Sequence, residues 1–262
     1  VKLGSKFLKR DLIELAKFKG FVKVDELKVL GDYGVYAGKG VTIEPYTVFD
    51  TREGPIVIDD YAYIQGPSRI EGPTYVGRRS LVAAGANIRR AYISDHCNVG
   101  GEIVRSTILS YSNSRHQSYI GDSYLGEFVN IGALTVVSNL KNTYGLIKFK
   151  LLNAIVETGM KKLGVLLGDH VKVSVGTILY GGIYVDVASH VHYRISRSIP
   201  AFTIWTGVEG YELELDSAMR TAKRVAEAKG VSLPDIYFDY MKRLYAETAP
   251  ERKGVKPGKP AL

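Results

Sequence analysis

The chain has 262 residues and a formal net charge of +8 at neutral pH, and 45% of its residues are apolar. This length can bury a sizeable core, and the sequence has neither an apolar run long enough to cross a membrane nor a signal peptide. A single cysteine, Cys97, excludes an internal disulfide and is typical of a reducing compartment. We therefore expect a cytoplasmic protein with no membrane partner.

The positive charge is concentrated at the two ends. Residues 1–28 carry eight basic residues against four acidic ones, and residues 241–262 carry six against two, so each end supplies a net charge of +4. Basic ends can attract nucleic acid, but the commoner interpretation is a solvated tail and a solvated helix face. Nucleic acid is thus not expected as a partner.

An amphipathic helix is predicted near the start of the chain, within an N-terminal helical or irregular segment covering residues 1–34. The helix should cover residues 6–18 and end at Gly20, with Leu8, Leu12 and Leu15 on one side.

From residue 35 onward, aliphatic side chains recur every six residues. A small residue follows four positions after each of the first five, and Cys97 occupies the same kind of position later. Neither a helix nor a single strand has this period, whereas one flat side of a triangular coil of about 18 residues does. The positions in register are Ile58, Ile64, Ile70, Val76, Val82 and Ile88, then Ile93 and Val99, then Ile120, Leu125, Ile131 and Val137, then Leu167, Val173, Leu179, Val185 and Val191.

This pattern resembles the hexapeptide repeat of the left-handed β-helix, the fold of a large family of acyltransferases and of some sugar nucleotidyltransferase domains. The resemblance implies an all-β solenoid, a left-handed parallel β-helix over residues 35–205, with a loop insertion at about 138–166. Two C-terminal α-helices are expected in residues 206–248, followed by a basic disordered tail at 249–262. The helices should cover residues 216–229 and about 233–247, the second beginning with a capping box at Ser232.

Polar residues are densest immediately before the third run of repeats, where residues 116–122 read HQSYIGD. About one coil later, residues 130–135 read NIGALT. A histidine beside a glycine-flanked backbone could act as a general base next to an oxyanion donor. A histidine in a polar loop is more often a surface or structural residue, and the spacing alone favours that interpretation.

The two segments resemble the acetyltransferase domain of the bifunctional enzymes that acetylate glucosamine-1-phosphate and then uridylylate the product. The resemblance implies that His116 is the general base and that the backbone N–H of Ala133 receives the oxyanion. It also implies that Asn139 and Tyr119 orient the amino sugar and the base.

The same resemblance implies two further binding sites and an assembly. Arg89, with Arg90, would bind the phosphate of an amino-sugar phosphate, and acetyl-CoA would be the cosubstrate. Ala133 and Thr177 would contact acetyl-CoA, and the chain would form a homotrimer. No metal site is expected.

Two positions depart from that family: Leu134 replaces a glycine, and Arg115 replaces a small residue. No Gly-rich nucleotide loop precedes the repeats, so we expect no nucleotidyltransferase domain in this chain. A second hypothesis is accordingly a non-catalytic trimeric scaffold or regulatory partner of a separate sugar-1-phosphate nucleotidyltransferase.

A third hypothesis is a metal-dependent hydro-lyase like the γ-type carbonic anhydrases, which have the same fold. His190 and His192 lie two residues apart, and His170 lies about a coil earlier. Their spacing differs from that of the metal ligands in that family.

Overall fold

The structure is a computed structural model, which describes residues 2–24, 29–258 and 260. The chain forms two compact units, residues 1–125 and 126–262. The division falls inside the predicted solenoid of residues 35–205.

Unit 1 begins with helix α1 (Lys2–Lys19), which ends where Gly20 adopts a left-handed conformation with φ of 63°. The predicted helix and its apolar side are confirmed, because Leu12 and Ala16 are buried against Val57 and Tyr75 of the coils. The strands of unit 1 are β1 (Val22–Lys23), β2 (Val29–Leu30), β3 (Val35–Ala37), β4 (Thr42–Ile43), β5 (Thr47–Asp50), β6 (Ile56–Ile58), β7 (Tyr63–Ile64), β8 (Ser68–Glu71), β9 (Thr74–Val76), β10 (Leu81–Val82), β11 (Asn87–Arg89), β12 (Tyr92–Ile93), β13 (Asn98–Val99), β14 (Glu102–Val104), β15 (Thr107–Ile108), β16 (Asn113–Ser114), β17 (Tyr119–Gly121) and β18 (Tyr124–Leu125).

These strands pair in parallel across successive coils, apart from the antiparallel pair β1 and β3. The register stacks like side chains on one another, so that Ile64 lies beside Val82, and Val82 beside Val99. All three are fully buried. The six-residue period is therefore the distance from one side of a coil to the next, and each ladder removes aliphatic surface from water at every step.

The interruption of the pattern after Val99 marks a shorter coil. Ile103 and Ile108 supply the next two inward side chains, both buried, at spacings of four and five residues. The third inward position is the polar Ser114, which pairs in register with Val99. Its hydroxyl lies 3.0 Å from that of Ser118, which satisfies a polar group inside the ladder.

Unit 2 contains further coils of the same kind, with Leu167, Val173, Leu179, Val185 and Val191 all buried. Its predicted insertion contains an antiparallel hairpin of β21 (Ile147–Lys150) and β22 (Ile155–Met160). Lys150 at the end of β21 pairs in parallel with Ile183 of the coils. The strands of unit 2 are β19 (Asn130–Ile131), β20 (Val136–Val137), β21 (Ile147–Lys150), β22 (Ile155–Met160), β23 (Val165–Leu167), β24 (Lys172–Val173), β25 (Ile178–Leu179), β26 (Ile183–Val185), β27 (His190–Val191), β28 (Arg194–Ile195), β29 (Thr203–Trp205) and β30 (Gly210–Glu212).

Helices α2 (Leu215–Ala228) and α3 (Asp235–Glu247) cover one side of unit 2, close to their predicted bounds. Ala222 of α2 and Met241 of α3 belong to one buried apolar cluster with Phe202. The predicted left-handed parallel β-helix with C-terminal α-helices is thus confirmed. None of the described helices combines the length and the apolar character that a bilayer crossing requires.

One local prediction about the C-terminal helices is wrong. The residue before α3 is Pro234, and no side chain caps the helix, so Ser232 forms no capping box. A proline disfavours helical geometry in the residue before it, which delays the start of the helix past Leu233. Two apolar side chains of α3, Ile236 and Tyr240, are 61% and 65% exposed.

The predicted disordered tail is wrong over residues 249–258. A 3-10 helix (Ala249–Arg252) follows α3, and Arg252 is buried with its guanidinium on Glu212 and on the carbonyl of Tyr245. Lys256 forms an ion pair with Glu209 and a backbone bridge with Tyr211. Basic residues that compositional reasoning assigns to a solvated tail are here held by specific acidic partners.

Candidate functional site

His116 lies in an exposed loop of unit 1, immediately before β17. The side chains of residues 115–117 are all exposed, and the hydroxyls of Ser114 and Ser118 meet across the base of the loop. The predicted general base therefore projects toward solvent from a loop whose ends are fixed in the coil. Such a side chain is accessible to a substrate.

Glycines in the coil below allow this loop to lie close to the backbone. A Cβ on Gly100 would lie 2.2 Å from the carbonyl oxygen of Arg115. Gly101 has φ of 67°, and a Cβ there would lie 2.5 Å from the nitrogen of Ser118. Because backbone atoms cannot give way as a flexible side chain can, the position of the His116 loop depends on these two glycines.

Arg89 and Tyr119 lie two coils apart in unit 1, with Glu102 on the coil between them. Asn87 pairs in register with Glu102, and Glu102 with Tyr119. The Arg89 guanidinium forms an ion pair with Glu102. The Nε of Arg89 and the Oδ1 of Asn87 are buried and have no hydrogen-bond partner among the described residues. Such unsatisfied atoms are costly in a folded protein and are often sites of ligand contact.

Arg90 has a different environment from Arg89. It lines a cleft of about 270 Å³ with Arg52 and the three carboxylates of Asp50, Glu53 and Glu71. Three acidic groups against two guanidinium groups make this cleft unfavourable for a phosphate. The adjacent residues 89 and 90 are therefore not brought to one binding site.

The last residue of the HQSYIGD segment has a structural role. Asp122 has φ of 49°, and its carboxylate accepts hydrogen bonds of 2.7 and 2.8 Å from the guanidinium of Arg105. This hydrogen-bonded carboxylate raises the pKa of Arg105. The sequence does not reveal that Arg105 pairs with Asp122 or that Glu102 pairs with Arg89, because both pairs form between coils.

In unit 2, Ala133 and Thr177 are brought close together. The carbonyl of Ala133 accepts a 2.8 Å hydrogen bond from the N–H of Gly176, next to Thr177. No hydrogen bond among the described residues uses the Ala133 N–H. The Thr177 hydroxyl is buried and has no hydrogen-bond partner within that part of the chain. Among the residues that the structure describes, the Ala133 N–H is thus left without a partner beside a half-buried side chain, whereas the Thr177 hydroxyl lies on a fully buried residue.

Leu134 and Asn139 follow Ala133 on the same chain segment. Asn139 is buried, and its carbonyl accepts a 3.0 Å hydrogen bond from Leu163. Leu134 has φ of 61° and a side chain 66% exposed. The left-handed conformation explains why a glycine suits this position in the family that the segment resembles.

The three histidines of the metal hypothesis lie in unit 2, and two of them, His170 and His192, are hydrogen-bonded to other side chains. His170 Nε2 lies 2.6 Å from the hydroxyl of Tyr237, and His192 Nδ1 lies 2.6 Å from that of Ser174. Burial lowers the pKa of His170 to about 3 and that of His190 to about 4. Within the described residues, no three His, Cys, Asp or Glu side chains are placed to hold a metal ion.

Comparison with known proteins found no matching family model. A bifunctional sugar-1-phosphate nucleotidylyltransferase/acetyltransferase of Sulfurisphaera tokodaii is 30% identical over 91 residues, 35% of this chain and 23% of that protein. The bifunctional protein GlmU of Synechococcus elongatus is 26% identical over 202 residues, 69% of this chain and 40% of that protein. The chain thus matches less than half the length of either relative.

A solved structure of UDP-N-acetylglucosamine acyltransferase covers 86% of this chain and 83% of its own, with a TM-score of 0.42 and 13% identity. The six-residue repeats and the parallel ladders of buried aliphatic side chains indicate one and the same fold. The chain is a hexapeptide-repeat β-helix. In this β-helix, His116 is exposed in unit 1, and Tyr119 and Ala133 are half-buried in units 1 and 2.

Proposed function

We propose that this chain is an acyltransferase that uses acetyl-CoA to acetylate the amino group of an amino-sugar phosphate. The observation that carries the proposal is the similarity over 202 residues to a bifunctional protein GlmU, together with an acetyltransferase named among the relatives. The HQSYIGD segment adds to it, because His116 is exposed in a loop that two serines and two glycines hold in place.

His116 would act as the general base. An amine attacks a thioester only when its nitrogen carries a free electron pair, and the attack leaves that nitrogen with an excess proton. An imidazole removes this proton at neutral pH, which typically contributes about 10²–10⁴ in rate. Tyr119, three residues further on, would help to orient the amino sugar.

The N–H of Ala133 would stabilise the oxyanion that forms when the amine adds to the thioester carbonyl. A backbone donor already fixed in the coil needs no reorganisation as charge develops, and one such donor is worth roughly 10²–10³ in rate. Collapse of this adduct breaks the carbon–sulfur bond and releases the CoA thiol. Asn139 would orient the sugar, and the buried Thr177 hydroxyl would contact the cosubstrate.

Arg89 would bind the phosphate of the sugar. Within the described part of the chain, its Nε and the neighbouring Asn87 Oδ1 have no hydrogen-bond partner, and a phosphate oxygen and a sugar hydroxyl would satisfy both atoms. Arg90 was expected to assist, but three carboxylates line its cleft, and we assign the phosphate to Arg89 alone.

The active form would be a homotrimer. Leu134 and Val175 of unit 2 are 66% and 69% exposed, and Val136 and Ile178, paired in register on adjacent coils, are each 43% exposed. A contiguous aliphatic patch of this kind usually marks a protein interface.

The test is release of CoA thiol from acetyl-CoA with glucosamine-1-phosphate. We expect turnover by the unmodified chain and a loss of about 10²–10⁴ in kcat for His116→Ala. Gln117→Ala, in the same exposed loop, is the matched control and should retain activity.

Turnover that survives His116→Ala would contradict the mechanism. Absence of turnover with any amino-sugar phosphate would contradict the function, and tight binding to a nucleotidyltransferase would then support the scaffold hypothesis.

A further inference from the structure

The insertion of unit 2, which contains the hairpin of β21 and β22, is strongly basic. Residues 138–167 contain five lysines and one acidic residue, Glu157, a local net charge of +4. Residues 29–240 as a whole balance to zero, so this excess is hidden in the overall composition. The described structure gathers three of these lysines around one cavity.

The cavity has a volume of about 480 Å³ and lies between the hairpin and the coils. Lys141, Lys148 and Lys150 line it on the hairpin side, and Tyr180 and Ser196 line it on the coil side. The guanidinium of Arg194 lies over the ring of Tyr180, 4.8 Å from its centroid. No carboxylate is among the described residues that line the cavity.

Two of the three ammonium groups are held only by neutral oxygens. Lys141 Nζ donates to the carbonyl of Leu146 at 2.6 Å, and Lys150 Nζ donates to the carbonyl of Ser196 at 3.1 Å. Among the described residues, only Lys148 of the three has an acidic partner, Glu157 at 2.7 Å. Because an ammonium group has three N–H donors, each lysine keeps donors for a ligand, and two keep an uncompensated charge.

We infer that this cavity binds the diphosphate group of an organic diphosphate. Adjacent phosphates offer several acceptor oxygens and more than one negative charge, which suits three ammonium groups around one space. A second cavity of about 720 Å³ shares Lys150 and is lined by Leu151, Ile155 and Arg197. It provides room for the organic part of the ligand. The inference does not depend on acetyl transfer.

The direct test is titration calorimetry of the full chain with pyrophosphate at low ionic strength. We expect saturable binding at one site, weakened about tenfold by Lys141→Gln and by Lys150→Gln. Lys161→Gln and Lys162→Gln are the matched controls, since both lysines are exposed in the same insertion but outside the cavity. Lys150→Arg keeps the charge and should keep the binding.

Absence of saturable binding, or equal weakening by the Lys161 and Lys162 variants, would overturn the inference. Competition with pyrophosphate then separates the two chemical sources of a diphosphate. Displacement by CoA but not by ADP identifies an acyl donor, and displacement by ADP identifies a nucleotide. Displacement by neither would overturn an organic diphosphate as ligand. Pyrophosphate binding without acetyl transfer would leave the cavity standing and remove only the proposed function.

Discussion

Asp50 is a buried carboxylate that two arginines keep ionised. The Arg52 guanidinium donates hydrogen bonds of 2.9 and 2.6 Å to it, and Arg69 donates another of 2.6 Å. The hydrogen bonds from Arg52 lower the pKa of Asp50 to about 2, and the charge of Arg69 contributes. A carboxylate at the end of β5 is thereby tolerated next to the ladder of aliphatic side chains.

This arrangement predicts an acid-dependent contribution to stability in unit 1. The folded pKa of about 2 lies below the unfolded value of about 3.9, so the contribution is present above about pH 4 and is lost as the pH falls toward 2. We expect Asp50→Asn to lower the free energy of unfolding more at pH 6 than at pH 2.5 in urea titrations.

The exposed pair of Asp239 and Lys242 provides the control for Asp50. Its side chains are 69% and 56% exposed, so Asp239→Asn should have little effect at either pH. An equal deficit for Asp50→Asn at pH 6 and pH 2.5 would contradict the prediction.

Helix α3 is attached to the coils of unit 2 through a neutral histidine. The ring of His170 stacks on Phe128 with centroids 4.9 Å apart, and its Nε2 meets the hydroxyl of Tyr237 on α3. Burial, with a smaller contribution from the charge of Lys172, lowers the pKa of His170 to about 3. The helix is therefore anchored to the coils at a residue that must stay uncharged.

Acid should loosen this anchor. A histidine whose pKa is lowered by folding costs stability once the pH falls below its unfolded value of about 6.5, by about 1.4 kcal/mol for each pH unit down to the folded pKa. His170→Phe keeps the stacking and removes the titration. We expect its unfolding free energy to change less between pH 7 and pH 5 than that of the unmodified chain.

Tyr237→Phe separates the hydroxyl from the titration. This variant should lose about 1 kcal/mol at pH 7 and keep the pH dependence, because His170 remains buried. If His170→Phe and Tyr237→Phe show the same dependence on pH, the anchor does not titrate as proposed.

For the whole molecule, the strongest expectation is assembly. A homotrimer has a mass of about 87 kDa, three times that of the 28.9 kDa chain, which sedimentation equilibrium measures directly. Val175→Glu and Ile178→Glu place charges in the aliphatic patch of unit 2 and should dissociate the trimer. Val208→Glu, at a residue 85% exposed and distant in sequence from the patch, is the control. A monomer at micromolar concentration would contradict the expectation.

The sequence alone determined the coil and its inward side chains. Each of the predicted ladder positions from Ile58 to Val99 is buried, because a period of six leaves an aliphatic residue only one way to face the interior of a triangular coil. From the HQSYIGD and NIGALT segments it also predicts His116 and the backbone N–H of Ala133 as site residues, and both stay predictions. Its error at the C-terminal tail came from composition, which does not show that Glu212 and Glu209 bind Arg252 and Lys256.

Only the tertiary structure decided which polar side chains meet. Glu102 binds Arg89 and Asp122 binds Arg105, although the members of each pair are many positions apart in the sequence. Three lysines of the insertion, which has no repeats, share a cavity. The physical reason is that stacking coils brings together residues one coil apart, and coil lengths here vary. The period of six identifies the aliphatic side chains that face inward. The pairing of the polar side chains that face outward depends on the register between coils, which the sequence alone does not reveal.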